Sequence, residues 1–223
     1  MDNVNPKPIL TIELLQQQAR AFAEVESIFP EPSLYGVTDG KAIGTYVEHK
    51  FKAFLASRYD FVSGSSASGI DLPELEVDIK VTSINQPQSS CPFKSARQKI
   101  FGLGYSLLVF VYAKADDIEV QTGTLNIMHT IFVERERTAD YQTSTGLLRI
   151  LANNANIDDL RAFMFERNLP LDEIEATNIA EELLSGRELI EGYLTISNAL
   201  QWRLQYARVI TEAGRVTGII RVR

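Results

Sequence analysis

The sequence predicts a mixed α/β fold, with strands in the middle of the chain and helices at both ends. Three observations carry that prediction. Apolar residues recur at helical spacing over residues 9–29 and 41–57, and again over four segments beyond about residue 138. Leu75 to Val81 alternates apolar with charged residues, the period of a strand with one polar face. Tyr105 to Ala113 is apolar almost throughout, as a buried strand is.

The first helix carries Ile12, Leu15, Ala19, Phe22, Val25 and Phe29 on one stripe, and Pro30 and Pro32 end it. A turn-rich stretch, Gly36 to Gly40, supplies Asp39 as the N-cap of the second helix. There Ile43, Val47, Phe51, Phe54 and Leu55 form the core-facing stripe. A short strand at Phe61 runs into a small, polar turn that ends at Gly69. After the Pro73-Glu74 turn come the strand at 75–81, an aperiodic polar stretch at 82–94, and a short basic helix at 95–103. Strands at 105–113, 118–121 and 125–133 follow, then helices at 140–153, 157–168, 171–184 and 195–212, then a last strand from Val216 to Val222. The chain reads as one domain of 223 residues, with a helical C-terminal region at about 138–212 as a candidate subdomain.

Composition narrows the function classes. Hydrophobic residues at 45% and charged residues at 23% are ordinary for a globular protein. No apolar run is long enough for a membrane helix, and the amino terminus lacks the basic and hydrophobic regions of a secretion signal, so the expected compartment is the cytoplasm. One cysteine, Cys91, and two histidines, His49 and His129, rule out an internal disulfide and a cysteine- or histidine-rich metal site.

The net charge of −7 argues mildly against a nucleic-acid partner until it is resolved along the chain. Residues 1–78 carry −6, 116–155 carry −3 and 156–191 carry −7, whereas 79–115 carry +5 without one acid and 192–223 carry +4. The carboxy-terminal basic residues Arg203, Arg208, Arg215, Arg221 and Arg223 either face DNA or pair with the acidic 156–191 segment.

The chemistry concentrates just before the first basic block, in Asp71, Glu76, Asp78 and Lys80. On a strand, Glu76, Asp78 and Lys80 share one side, and Asp71 faces them across the turn. Carboxylates this close repel unless a cation sits among them, and a few hard oxygen ligands suit Mg²⁺. The plain alternative is a hairpin whose polar face is solvated.

These residues resemble the PD-(D/E)XK signature of restriction-endonuclease-like nucleases: Asp71, a short gap, then Asp78-Ile79-Lys80, preceded by the helical Glu48 in Gly44-Thr-Tyr-Val-Glu48-His-Lys. Ile70 stands where the strict signature has proline, and only seven positions separate the two aspartates. The resemblance spans residues 40–115, and the tail lies outside it. It implies a restriction-endonuclease-like core over about 40–135, built on a mixed central β-sheet flanked by helices. It further implies catalytic roles for Asp71, Asp78, Lys80 and Glu48, with Mg²⁺ held by Asp71, Asp78, the backbone carbonyl of Ile79 and Glu48. Lys80 would orient the attacking water, Glu76 would stand by or act in an outer shell, and the products would carry 5′-phosphates.

With no ATPase or methyltransferase motif in the chain, the resemblance is strongest to a stand-alone type II restriction endonuclease. Such an enzyme is expected to cut double-stranded DNA as a homodimer, and to have a cognate DNA methyltransferase encoded nearby. The stretch after the motif then supplies the expected DNA contacts: Thr82, Ser83, Asn85, Gln86, Gln88, Lys94, Arg97, Gln98 and Lys99. The alternatives are a DNA-repair nuclease or resolvase, and a non-catalytic DNA- or protein-binding module on the same fold.

Overall fold

The computed structural model describes residues 6–64, 69–90, 95–197 and 203–223. The chain forms two compact units: one comprises Met1–Pro87, Leu107–Phe132 and Ile220–Arg223, the other Gln88–Ser106 and Val133–Ile219. The expected Gly64-to-Gly69 turn lies largely outside the described residues, as do Cys91, Lys94 and Trp202.

In the first unit, helices α1 (Ile12–Glu26) and α2 (Gly40–Ala56) pack on strands β1 (Val77–Ser83), β3 (Ser106–Asp117), β4 (Thr122–Val133) and β7 (Ile219–Arg221). These strands form a four-stranded mixed sheet in the order β1-β3-β4-β7, flanked by helices as expected. Asp39 caps α2 by accepting a hydrogen bond from the Lys41 N–H, 3.0 Å away. Below the cap, Ile43, Val47, Phe51 and Leu55 are all buried. Phe22 of α1, Phe51 of α2 and Phe110 of β3 meet with ring centroids 5.1–5.8 Å apart. Val77 and Ile79 enter the same core and anchor β1 to it.

Two expected strands are absent. Residues 118–121 form the turn between β3 and β4, because the Asp117 carboxylate accepts hydrogen bonds from the N–H groups of Glu119 and Val120. Phe61 to Gly64 joins no ladder: the Val62 N–H donates to the Glu74 carboxylate and the Gly64 N–H to the Asp71 carbonyl.

In the second unit, helices α3 (Ala96–Phe101), α4 (Tyr141–Ala152), α5 (Ile157–Glu166) and α6 (Glu173–Leu184) share a core of Ile100, Leu147, Leu160, Met164, Ile179 and neighbours. Asp140 caps α4 through the Thr143 N–H, and its other carboxylate oxygen accepts from the Ile196 N–H at 2.8 Å. The helix expected over 195–212 is replaced by β5 (Thr195–Ile196), β6 (Arg203–Gln205) and the short α7 (Ala207–Glu212). Strand β2 (Gln88–Ser90), within the stretch that reads as aperiodic, pairs antiparallel with β6 to give a three-stranded sheet in the order β2-β6-β5. Both differences trace to β6, which pairs with β2 more than a hundred residues away and with β5 about ten residues away, in strands too short for local periodicity to register.

Candidate active site

The site lies wholly in the first unit, on β1, α2 and the turn that leads into β1. Leu72 and Val77 exchange backbone hydrogen bonds of 2.9 and 3.2 Å around a single 3₁₀ turn, Pro73–Leu75. That antiparallel register sets Asp71 opposite Asp78. The six residues between the aspartates are therefore the length this tight turn requires. The turn closes because Glu76 adopts a left-handed conformation, with φ +52°. Glu76 thus precedes the strand and is exposed, and it is not part of the alternating pleat of β1 that carries Asp78 and Lys80.

The two aspartates are unequal. Burial pushes the Asp78 carboxyl up to about 6, with the Asp71 carboxyl adding to the rise and Lys80 opposing it. Burial also acts on Asp71, but hydrogen bonds from Asp78, from the Lys52 ammonium and from the Ile79 N–H outweigh it and hold that carboxyl below the usual range. The Ile79 N–H donates to Asp71 Oδ2 at 2.8 Å, and Lys80 Nζ lies 2.7 Å from Asp78 Oδ2. The pair therefore holds its proton on Asp78 at mildly acidic pH, and above that range both groups are negative.

Glu48 belongs to the same cluster through a residue that the sequence reading passed over. Lys52, one turn further along α2, donates to Glu48 Oε1 at 2.8 Å and to Asp71 Oδ1 at 2.6 Å. Burial disfavours its charge, yet the hydrogen bonds to Asp71 and Glu48 raise its pKa above the ordinary lysine value. The signal was present as the i, i+4 spacing of Glu48 and Lys52 on one helix face.

The donor chemistry fits a hard divalent cation: two facing carboxylates, with a third carboxylate joined to them through one ammonium. Among the described residues no three carboxylate, histidine or cysteine side chains are gathered closely enough to enclose an ion. A hard divalent cation held by so few protein oxygens would complete its shell with water.

The expected DNA contacts divide by environment. In the first unit, Asn85 and Gln86 are exposed in the turn after β1, while the Ser83 hydroxyl accepts from the Asn85 N–H and the buried Thr82 hydroxyl donates to the Gln86 carbonyl. In the second unit, Gln88 sits on β2 and Gln98 donates to the Leu103 carbonyl. Lys99 is buried, and Arg97 forms ion pairs with Glu175 and Glu182. Lys94 lies outside the described residues. Of the carboxy-terminal arginines, Arg223 donates to the Ala23 carbonyl at 2.6 Å and Arg208 stacks over the Tyr141 ring at 3.5 Å.

A helix-flanked mixed sheet that carries Asp78 and Lys80 on its edge strand, with Asp71 facing them, has the architecture of the restriction-endonuclease-like nucleases. Comparison with known proteins narrows the class. A family model described as type II restriction enzyme NspV matches residues 9–221, and the chain belongs to that family. Type II restriction enzyme NspV from Nostoc sp. (strain ATCC 29411 / PCC 7524) is 65% identical over 214 residues, covering 96% of this chain and 97% of that protein. No solved structure matches the chain. The likeness runs through the helical second unit as well as the stretch that carries the motif, and the chain is a sequence-specific DNA endonuclease of the restriction type.

Proposed function

We propose that this restriction endonuclease hydrolyses phosphodiester bonds in both strands of duplex DNA with Mg²⁺ as its cofactor, leaving 5′-phosphate ends. One observation carries the reading: Asp71 faces Asp78 across a closed turn, and Lys80 lies 2.7 Å from Asp78. Asp71, Asp78, the Ile79 carbonyl and Glu48 are the groups that would hold the cation. When bound, Mg²⁺ supplies Lewis-acid charge at the scissile phosphate and lowers the pKa of a coordinated water.

The chain's own residues do the rest. The Ile79 N–H fixes the orientation of the Asp71 carboxylate. Lys80, projecting from the same side of β1 as Asp78, orients the attacking water and offers its positive charge to the non-bridging phosphate oxygens. In the cation-free protein, Lys52 supplies the positive charge between Glu48 and Asp71. Asn85 and Gln86, exposed directly after the catalytic strand, approach the DNA beside the cut.

Cutting both strands of a symmetric site calls for a homodimer, and the host's own sites require a cognate DNA methyltransferase encoded nearby. No helix among the described residues is long and apolar enough to cross a membrane, and the enzyme is assigned to the cytoplasm, where its substrate enters.

The test is incubation of phage DNA with the purified protein in Mg²⁺, beside Asp78→Ala and Lys80→Ala. The expected result is a discrete set of fragments, lost in both variants, whose ends are joined by DNA ligase without prior phosphorylation. DNA left intact by the wild-type protein across metals and buffers would overturn the reading.

A further inference from the structure

The three-stranded sheet of the second unit brings together the two basic blocks of an acidic protein. Strand β2 comes from the acid-free +5 block at 79–115, and β5 and β6 come from the +4 block at 192–223. None of the three strands contains an acid. Their pairing sets Gln88 and Thr195 on either side of Gln205, and Ser90 beside Arg203.

The two faces of this sheet differ completely. Residues two apart on a strand share a face. On β6, Arg203 and Gln205 are exposed while Leu204 between them is fully buried. Ile196 pairs with Leu204 and is buried with it, and the Ser89 hydroxyl, also opposite Leu204, is hydrogen-bonded to the buried Tyr206 hydroxyl. One side of the sheet is therefore anchored in the unit's interior. The other presents a guanidinium, two amides and two hydroxyls from a backbone held by its own ladder.

We infer that this outer face, made of Gln88, Ser90, Thr195, Arg203 and Gln205, reads base edges in the major groove of the DNA. The assignment rests on the proposed nuclease function and names the surface that gives it its site preference. The side-chain types are those the groove selects: Arg is bidentate to guanine O6 and N7, Gln is bidentate to adenine N6 and N7, and hydroxyls suit several edges. The antiparallel pair β2–β6, which carries Gln88, Ser90, Arg203 and Gln205, is a two-stranded ribbon of the kind that a major groove about 12 Å wide admits, with Thr195 of β5 at its margin. Rigidity matters equally, because a reading group must hold its position to reject a wrong base. The absence of acids spares the approach any repulsion from phosphates.

The experiment selects preferred duplexes from a random-sequence pool with the non-cutting Asp78→Ala protein, and compares it with the same protein carrying Arg203→Lys or Gln205→Ala. Both positions are exposed, and equal thermal unfolding midpoints check that the variants fold like their parent. Arg203→Lys retains the charge and loses the planar fork, so it separates base reading from phosphate attraction. The parent should enrich a defined motif. Each variant should lose preference at one position of that motif, and its symmetry mate, on the order of ten- to a hundredfold. Binding to unselected duplex at low salt should hold. An unchanged motif in both variants, or no motif from the parent, overturns the inference. Failure of the wild-type enzyme to cut phage DNA would instead count against the nuclease reading, and the selection would still decide the role of the sheet.

Discussion

Lys52 reaches from helix α2 to the carboxylate of Asp71, with 2.6 Å between Nζ and Oδ1, and holds Glu48 with the same ammonium at 2.8 Å. One cation thus serves two carboxylates on different segments of the chain. Replacing it with an apolar side chain of similar length leaves two partly buried negative charges without it, which costs roughly 1–2 kcal/mol. Lys52→Met should therefore lower the thermal midpoint of the metal-free protein. It should also enlarge the rise in that midpoint on adding Mg²⁺, and lower the half-saturating Mg²⁺ concentration severalfold. A Mg²⁺ titration of thermal unfolding without DNA checks this. An unchanged Mg²⁺ dependence would show that Lys52 does not share the cation's position.

The raised carboxyl of Asp78 gives stability a definite pH dependence. A folded-state pKa near 6 means that the folded chain binds this proton more tightly than the unfolded chain does. The cost of ionising Asp78 is absent below about pH 4 and complete above about pH 6. Asn does not titrate. In the absence of metal, Asp78→Asn should therefore gain stability relative to the wild-type protein as pH rises through that window, by roughly 2–3 kcal/mol. Urea unfolding at pH 4, 5, 6 and 7 measures the difference. Parallel profiles for the two proteins would show that Asp78 is not the carrier of the shared proton.

Arg97 separates two uses of a cation. Its Nη1 and Nη2 pair with both carboxylate oxygens of Glu182 at 2.9 and 2.7 Å, and its Nε pairs with Glu175 at 2.6 Å, tying α3 to α6. A fork engaged in this way is an internal brace. Arg97→Ala should lower the unfolding midpoint and leave unchanged the slope of log DNA affinity against log salt, which would fall by about one were Arg97 a phosphate contact. The Arg97 and Arg187 guanidiniums hold the Glu182 carboxyl down to about 2. A depressed acid stabilises the fold fully only above its unfolded pKa, so the wild-type advantage should be complete above about pH 4.5 and fall progressively from there until it is lost near pH 2. A reduced salt slope with an unchanged midpoint would return Arg97 to the DNA surface that its sequence position suggests.

What the sequence discloses follows the range of the interactions that decide each element. Helix α2 is legible because its stripe, Ile43 to Leu55, and its cap, Asp39, lie within one stretch of chain. Strand β3 is legible from an apolar run that no helix of that length would need. The Asp71 and Asp78-Ile79-Lys80 grouping is legible too, since a tight turn brings its parts together. Lys52 escapes a motif that names only Glu48, although the i, i+4 spacing was visible. Strands β2, β5 and β6 escape for another reason: each is two or three residues long, and the β2–β6 pairing joins residues 88–90 to 203–205. Glu76 is misplaced by alternation alone, because a single left-handed residue moves it off the pleat.

Gly192 makes the sharpest prediction about the second unit. Residues 192–194 lie against 137–140: the Tyr193 N–H donates to the Arg137 carbonyl, the Leu194 N–H to the Ala139 carbonyl, and the Gly192 N–H to the Ser144 hydroxyl at 2.8 Å. A Cβ at Gly192 would stand 2.1 Å from the Ala139 carbonyl oxygen and 2.3 Å from its carbon. Backbone pinned by its own hydrogen bonds has nowhere to go, so the two segments must separate. Gly192→Ala should cost about 3 kcal/mol or more and lower the midpoint by roughly 10 °C. Gly40 is the contrast. It opens α2 with nothing within 4 Å of a built Cβ, and Gly40→Ala should be neutral or stabilising by up to about 1 kcal/mol. Measured side by side, the two substitutions distinguish close backbone approach from a general intolerance of side chains at glycine. Equal midpoints for both variants would mean that the 137–140 and 192–194 segments do not pack this closely.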